Sequence, residues 1–231
     1  NFKNFIPLPN WRVTYDGLSK IALVNRVFKK FTLTHGYKST LNYGSFTTNL
    51  LHEKDVLGDD FSRDLTNNFV PELSIASVSI NEQFSPLLGV DMTLNNNMLL
   101  RVEFKKNRNA SLSMSNNQIT EIKGNEWSVG TGYKFRKVRL PIAKAAADID
   151  TRIDVGVRDN NTVVRRIVEN VTQLTSGSRI LTVKLTADYR VSSSLNLRAF
   201  YDFISTKPFV SNTFPTTNTN VGISIRFTFA Q

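Results

Sequence analysis

Cysteine is absent from the 231 residues, so no disulfide framework, thiol nucleophile or cysteine-based metal site is possible. That absence fits cytosolic and periplasm-facing proteins alike and does not set the compartment. Long apolar runs are missing too. The longest, such as Ile21-Ala22-Leu23-Val24, are about four residues, against the roughly 18 that a membrane-crossing helix needs. Histidine occurs only at His35 and His52, with no acidic partner at metal-ligand spacing, and both read as surface or packed side chains. No GxSxG, P-loop, HExxH or dinucleotide fingerprint occurs. Gly130-Thr131-Gly132 precedes no helix, and Asp148, Asp150 and Asp154 do not follow a calcium-loop spacing. The expectation is a protein without catalysis, metal or cofactor. No charged n-region, apolar h-region and cleavage site follows Asn1, as expected of a mature product or a fragment.

What is present points to strands. Phe accounts for 16 residues and hydrophobic residues for 40%, while Asn, Thr and Ser supply 24, 22 and 20 positions. Aromatics and Thr favour strands, and Asn favours turns. Charged residues are 21% and interspersed, which argues against disorder. The 29 Lys and Arg against 19 Asp and Glu give a net charge of +10. Clusters such as Arg26–Lys30 and Lys105–Arg108 would suit a phosphate backbone. However, the cations interleave with acids on nearly every strand, and the aromatics fall on the opposite register, where they cannot act as stacking platforms among the cations. No nucleic-acid partner is expected.

The informative period is two. Val221, Ile223, Ile225, Phe227 and Phe229 alternate with Gly222, Ser224, Arg226 and Thr228. Trp127, Val129, Thr131, Tyr133 and Phe135 oppose Glu126, Ser128, Gly130, Gly132, Lys134 and Arg136. The same two-faced pattern recurs around Met98–Lys105, Arg152–Arg158, Leu181–Arg190 and Leu195–Phe203. With weaker cases near 10–16, 31–48, 72–82, 84–94, 110–120 and 162–168, about twelve strands are expected. Several are about 9–12 residues long, the length that crosses a bilayer at a tilt. Short turns are expected at Asn95–Asn97, Lys123-Gly124, Asp159–Asn161 and Val191–Ser194, with a brief link at Asn107–Asn109. Longer connectors are expected at 137–150, 168–179 and 205–219, and Leu140–Asp150 is at most one helical turn. Residues 49–69, with Glu53, Asp55, Asp59 and Asp60, read as a polar insertion.

A soluble antiparallel sandwich or barrel shows the same alternation with its apolar face inward. Strand length, the alternation of short and long connectors, and aromatic strand ends favour an antiparallel transmembrane β-barrel with its C-terminus periplasmic. In it, Trp127, Tyr133, Phe135, Tyr189, Tyr201 and Phe203 would face the membrane and its interfaces. The polar registers would line the lumen: Arg101, Glu103, Lys105, Lys134, Arg136, Arg152, Asp154, Arg158, Lys184, Asp188, Arg190, Arg198, Asp202 and Arg226. A self-contained porin and a soluble β-sandwich binding module both remain open on pattern alone.

Four segments carry a family resemblance: Ile6–Leu18 (IPLPNWRVTYDGL), Phe28–Tyr43 (FKKFTLTHGYKSTLNY), Asn68–Leu88 (NFVPELSIASVSINEQFSPLL) and Trp127–Pro141 (WSVGTGYKFRKVRLP). Together they resemble the C-terminal region of the SprA/Sov outer-membrane translocon family of the type IX secretion system in Bacteroidota. The resemblance implies that residues 1–231 are about a third of a very large barrel, of the size of the largest known. The strand Asn220–Phe229, with Val221, Ile223, Ile225, Phe227 and Phe229, would then close against the upstream part of the same barrel. The implied function is a protein-conducting channel in the outer membrane. Its implied partners are outer-membrane lipid, a PorV-like small barrel, a periplasmic plug protein, and secreted cargo proteins with C-terminal signal domains. The implied energy source is an inner-membrane motor, so no nucleotide site is expected. No family motif assigns pore residues individually, and the wall candidates rest on alternation alone.

Overall fold

The computed structural model describes residues 9–54, 57–58, 62–139, 146–192, 194–210 and 213–228. Nine strands follow one another: β1 (Trp11–Tyr15), β2 (Phe28–Thr48), β3 (Leu73–Leu94), β4 (Leu99–Ser113), β5 (Gln118–Val138), β6 (Ala147–Arg166), β7 (Val171–Arg190), β8 (Leu195–Pro208) and β9 (Thr216–Phe227). A 3-10 turn at Gly17–Lys20 and a four-residue helix, α1 (Ala22–Asn25), link β1 to β2. Every strand pairs antiparallel with its chain neighbour, so sheet order is sequence order. β1 and β9 are the two edges of one open sheet. No second layer packs on it: the buried hydrophobic residues among those described are Tyr37, Val70, Ala110 and Tyr189.

Nine strands form where about twelve are expected, because segments read as separate strands are halves of single long ones. The stretches 72–82 and 84–94 are one strand, β3, with a ladder irregularity between Phe84 and Leu88. The Asn107–Asn109 link lies inside β4, Lys123-Gly124 inside β5 and Asp159–Asn161 inside β6. The register explains the misreading: Gln83, Asn107, Gly124, Asn160 and Ser178 are successive cross-strand partners. What reads locally as several turns is one polar row of the sheet, where ladder pairing overrides turn propensity.

True turns close at 95–98, 114–117, 167–170 and 191–194. Asn97, Asn117 and Asn170 take positive φ there (66°, 49° and 53°), a conformation asparagine tolerates better than most side chains. The strand expected at 110–120 is therefore broken by a turn at 114–117, and the long connector expected at 168–179 is mostly strand β7. The β5–β6 and β8–β9 connections lie at opposite ends of the sheet, so the expected alternation of short and long connectors does not hold. β2 ends at Thr48 and β3 begins at Leu73, and the described residues between them belong to neither strand. There the Asp64 carboxylate accepts hydrogen bonds from the Thr66 and Asn68 backbone N–H groups, and these hold its pKa below the usual range. Asp55, Asp59, Asp60, Phe229 and most of Leu140–Asp150 lie outside the described residues, and residues 147–150 begin β6.

Candidate channel wall

Cross-strand partners share a face of a sheet, so the ladders fix which side chains lie together. One polar row runs Asp91, Arg101, Gly130, Asp154, Lys184, Asp202 and Asn220 across β3 to β9. A second runs Lys105, Glu126 and Arg158, and a third Lys134, Asp150, Asp188, Arg198 and Ser224. Glu103 pairs with Ser128, Gly132 with Arg152, Arg190 with Asn196, and Asn196 with Arg226. These ladders bring thirteen of the fourteen wall candidates onto one face. Arg136, two residues beyond Lys134, falls in the irregularity between Phe135 and Val138 and has no ladder partner.

Opposite charges meet on this face. Arg101 reaches Asp91 at 2.6 Å, Lys105 reaches Glu103 at 2.9 Å, and Arg158 reaches Glu126 at 2.7 Å. Lys134 reaches Asp150 at 3.2 Å, Arg152 reaches Asp154 at 2.9 Å, and Arg198 reaches Asp188 at 3.3 Å. Exposed pairs of this kind add little stability, typically about 0–1 kcal/mol each. The four cross-strand pairs also favour this register, since a one-residue slip would send one partner to the opposite face. Two clefts of about 460 and 970 Å³ open on this side. The smaller draws its rim from five successive strands, with Lys30, Asp91, Arg101 and Arg152 around a floor at Gly130 and Gly132. A sheet that curls toward its polar side produces that arrangement.

The other face carries an apolar band of constant width. Its positions are Trp127 to Phe135 on β5, Ile149 to Val157 on β6, Leu181 to Tyr189 on β7, and Leu195 to Phe203 on β8. Each set is five alternate side chains over nine residues, and none is charged. All six membrane-facing candidates lie here: Trp127, Tyr133, Phe135, Tyr189, Tyr201 and Phe203. On β9 the band continues through Val221, Ile223, Ile225 and Phe227, which are 67%, 76%, 67% and 60% exposed. On one edge Trp127 stacks on Phe104 with ring centroids 4.3 Å apart, and Tyr37 sits between Trp11 and Phe84 at 4.7 and 4.8 Å.

This edge runs obliquely. Its last apolar residue is Tyr37 on β2, Phe84 on β3, Phe104 on β4, Trp127 on β5, Val157 on β6, Leu181 on β7, Phe203 on β8 and Val221 on β9. Followed along the ladders, that is a slide of six residues over seven strand-to-strand steps. At about 3.3 Å per residue and 4.8 Å per strand, the strands lean about 30° from the normal to the band.

Past this edge β3 to β7 continue as paired strands, and the polarity of the two faces exchanges. The formerly polar face becomes mostly uncharged, with Asn81, Gln83, Asn107, Asn109, Ser111, Thr120, Gly124, Asn160 and Thr162, and Arg166 only at the far end of β6. The formerly apolar face becomes charged. Arg108 donates to Glu82 at 2.9 Å and to Glu121 at 2.5 Å, Lys123 lies 2.9 Å from Glu121, and Arg179 grips both oxygens of Asp159 at 2.7 and 2.8 Å. Burial pushes the Glu121 pKa up, yet the hydrogen bonds from Lys123 and Arg108 outweigh it and the net shift is downward. The Arg179 hydrogen bonds likewise lower Asp159.

Sequence reasoning left Asp91, Glu126 and Asp150 out of the wall. Glu126 and Asp150 sit in the alternating register of residues that were chosen, so alternation alone could have found them. Asp91 shares its parity with Gln83 across the irregularity near Pro86, but alternation over 84–94 is weak, with Leu87 on the inward register. His35 meets the Leu87 carbonyl at 2.6 Å and His52 the Val70 carbonyl at 2.8 Å. No group of three or more acidic or histidine side chains among the described residues is placed to hold a metal.

The chain matches no family model. No curated protein matches it either. Its function is therefore argued from this geometry and from the resemblance.

Proposed function

We propose that this chain is part of the wall of a transmembrane β-barrel, with the banded face toward lipid and the charged face toward a water-filled lumen. The observation that carries the reading is the band: nine residues wide on four consecutive strands, uncharged, and oblique to the strands. A tilted strand crossing the hydrocarbon core needs about 9–11 residues, and barrel strands tilt by about 35–45°. The soluble sandwich would need a second layer over the band. Among the described residues nothing covers it, and Ile223 is 76% exposed. A self-contained porin would pair β1 with β9, whereas these are the free edges of the sheet.

On the resemblance, the barrel is the protein-conducting outer-membrane channel of the type IX secretion system. β9 would continue into the rest of that barrel, and the paired extensions of β3 to β7 would stand outside the cell. The lumen-side ion pairs give a hydrated surface with a basic excess, on which the charged rows separate inward apolar residues such as Leu99 and Phe200. The PorV-like barrel, the plug protein and cargo with C-terminal signal domains belong to this proposal.

The test is extraction of the native protein in mild detergent, with identification of what copurifies. The expected result is a large complex carrying further barrel sequence and a smaller partner barrel. A monodisperse protein of about this mass, soluble without detergent, would overturn the reading and favour the sandwich.

A further inference from the structure

Resting on the membrane-wall reading, we propose that the outward face just past the aromatic edge of the band is a belt that binds phosphorylated glycolipid headgroups. Five cations on β4, β5, β7 and β8 occupy the first two outward positions beyond that edge. Lys106 and Arg108 follow Phe104, Lys123 lies two positions past Trp127, Arg179 follows Leu181, and Lys207 lies two positions past Phe203. At the opposite edge, the outward pair past Phe135 and Ile149 is Val138 with Ala147, which is uncharged.

The arrangement of charge in the belt differs from that inside. On the polar face most cations have an acid directly opposite. In the belt Arg108 has Glu82 opposite on one side but Lys123 on the other, and Arg179 has Asp159 on one side but Lys207 on the other. Directly opposed like charges are unfavourable on a sheet. Arg108 and Lys123 share the carboxylate of Glu121, and Arg179 takes Asp159. Lys106 and Lys207 are exposed, make no ion pair with any of the described residues, and lie in one cross-sheet row on β4 and β8. That row is about 19 Å long, at about 4.8 Å per strand. Between its ends lie Asn125, Asp159 and Arg179.

Cations separated by amide and carboxylate acceptors match a headgroup that presents phosphates between sugar hydroxyls. A plain phospholipid phosphate would use the cations alone. Long lysine side chains at this height can also bend back toward the headgroup layer while their stems cover apolar surface.

The test uses the intact protein in phosphatidylcholine nanodiscs doped with lipid A or, separately, with phosphatidylglycerol, with retained lipid counted by mass spectrometry. The variant Lys106→Ala/Lys207→Ala removes two exposed, unpaired side chains and leaves the ladders intact. It is expected to bind lipid A about thirty-fold more weakly, from the usual contribution of each cation near an anionic surface. High salt should produce a similar loss. Lys38→Ala removes a cation on the inward face at the same level of the sheet and is expected to bind lipid A as the parent does. The proposal is overturned if the double variant retains lipid A undiminished, if Lys38→Ala loses as much, or if the parent prefers phosphatidylglycerol. A protein that enters nanodiscs and shows any of these leaves the membrane reading standing. One that never enters them removes both.

Discussion

An arginine scan along one strand separates a lipid-facing band from a protein core. Leu185 is the central outward residue of β7, in the row Met92, Leu100, Thr131, Ile153, Leu185, Tyr201 and Val221. Leu181 ends the band on the same strand, about 13 Å away along it. Arginine facing lipid costs about 2–4 kcal/mol at the bilayer midplane and about 0–1 kcal/mol near the interface. Leu185→Arg is therefore expected to lower the folding equilibrium about 30- to 700-fold, and Leu181→Arg by less than about six-fold. Ser128→Arg on the polar face is the control. It stands opposite Glu103 and Gly156, so it gains a possible partner and fills space above a glycine. Its expected effect is within about 0.5 kcal/mol. The assay is reversible guanidinium unfolding of the protein from phosphatidylcholine vesicles, followed by tryptophan fluorescence from Trp11 and Trp127. A profile in which Leu181→Arg costs as much as Leu185→Arg would refute the band, since a buried protein core has no depth axis of this kind.

Three further outcomes follow from the same geometry. Because the chain lacks cysteine, a thiol introduced at Val183 and another at Thr182 report the two faces of one strand. A water-soluble maleimide should label Thr182→Cys and spare Val183→Cys in membranes, and equal labelling would contradict the face assignment. The Phe104–Trp127 stack should show a coupling of about 0.5–1.5 kcal/mol in a double-mutant cycle, measured by unfolding of the two single and one double alanine variants. Glu121 and Asp159 have lowered pKa values in the fold, so their contribution is fully present above the ordinary carboxylate range and is lost as pH falls below it. Backbone amide protection in the ends of β4 to β7 should thus hold from pH 7 to about 5 and fall below about 4. Loss of protection between pH 7 and 5 would rule out these ion pairs as its source.

The sequence and the structure agree best where both faces carry a signal. From Trp127 to Phe135, apolar and polar residues alternate with Thr131 the one exception, and the ladder places the two registers on opposite faces. The same holds for Leu181–Tyr189 and Val221–Phe227. Strand ends were legible at Asn95–Asn97 and Val191–Ser194, where turn-forming residues cluster between clear alternations, but not at Asn117 and Asn170, although both take positive φ. At Lys123-Gly124 and Asp159–Asn161 both faces are polar, so alternation vanishes while the strand continues. Composition then mimics a turn, and only the neighbouring strands, through Asn107 and Ser178, show that the ladder is unbroken. The Asp91–Arg101 pair was missed for a different reason. Phe84 and Leu88 both face outward across the irregularity near Pro86, so parity is kept along β3, but Leu87 on the inward register interrupts the alternation there and leaves the signal weak.

The exchange of polarity along single strands is harder to reconcile with a soluble sheet than the band itself. In a sandwich one face is apolar for the whole length of each strand, because its partner layer runs the whole length as well. On β4 the outward face reads Leu100, Val102, Phe104 and then Lys106 and Arg108, while the inward face reads Arg101, Glu103 and Lys105 and then Asn107, Asn109 and Ser111. β5, β6 and β7 change at the same row, where Asn125, Asp159 and Arg179 replace the apolar register. On the proposed membrane reading, four strands that change along one ladder row would meet two solvents along their length, apolar on one side of it and aqueous on the other. Inside the band, charges would be confined to the face where water can reach them, because desolvating an ion pair is costly. Past the row water would reach both faces, and that constraint would disappear. The placement of charge on each face thus follows from one assumption about where the lipid ends, and that assumption is what the arginine scan on β7 measures.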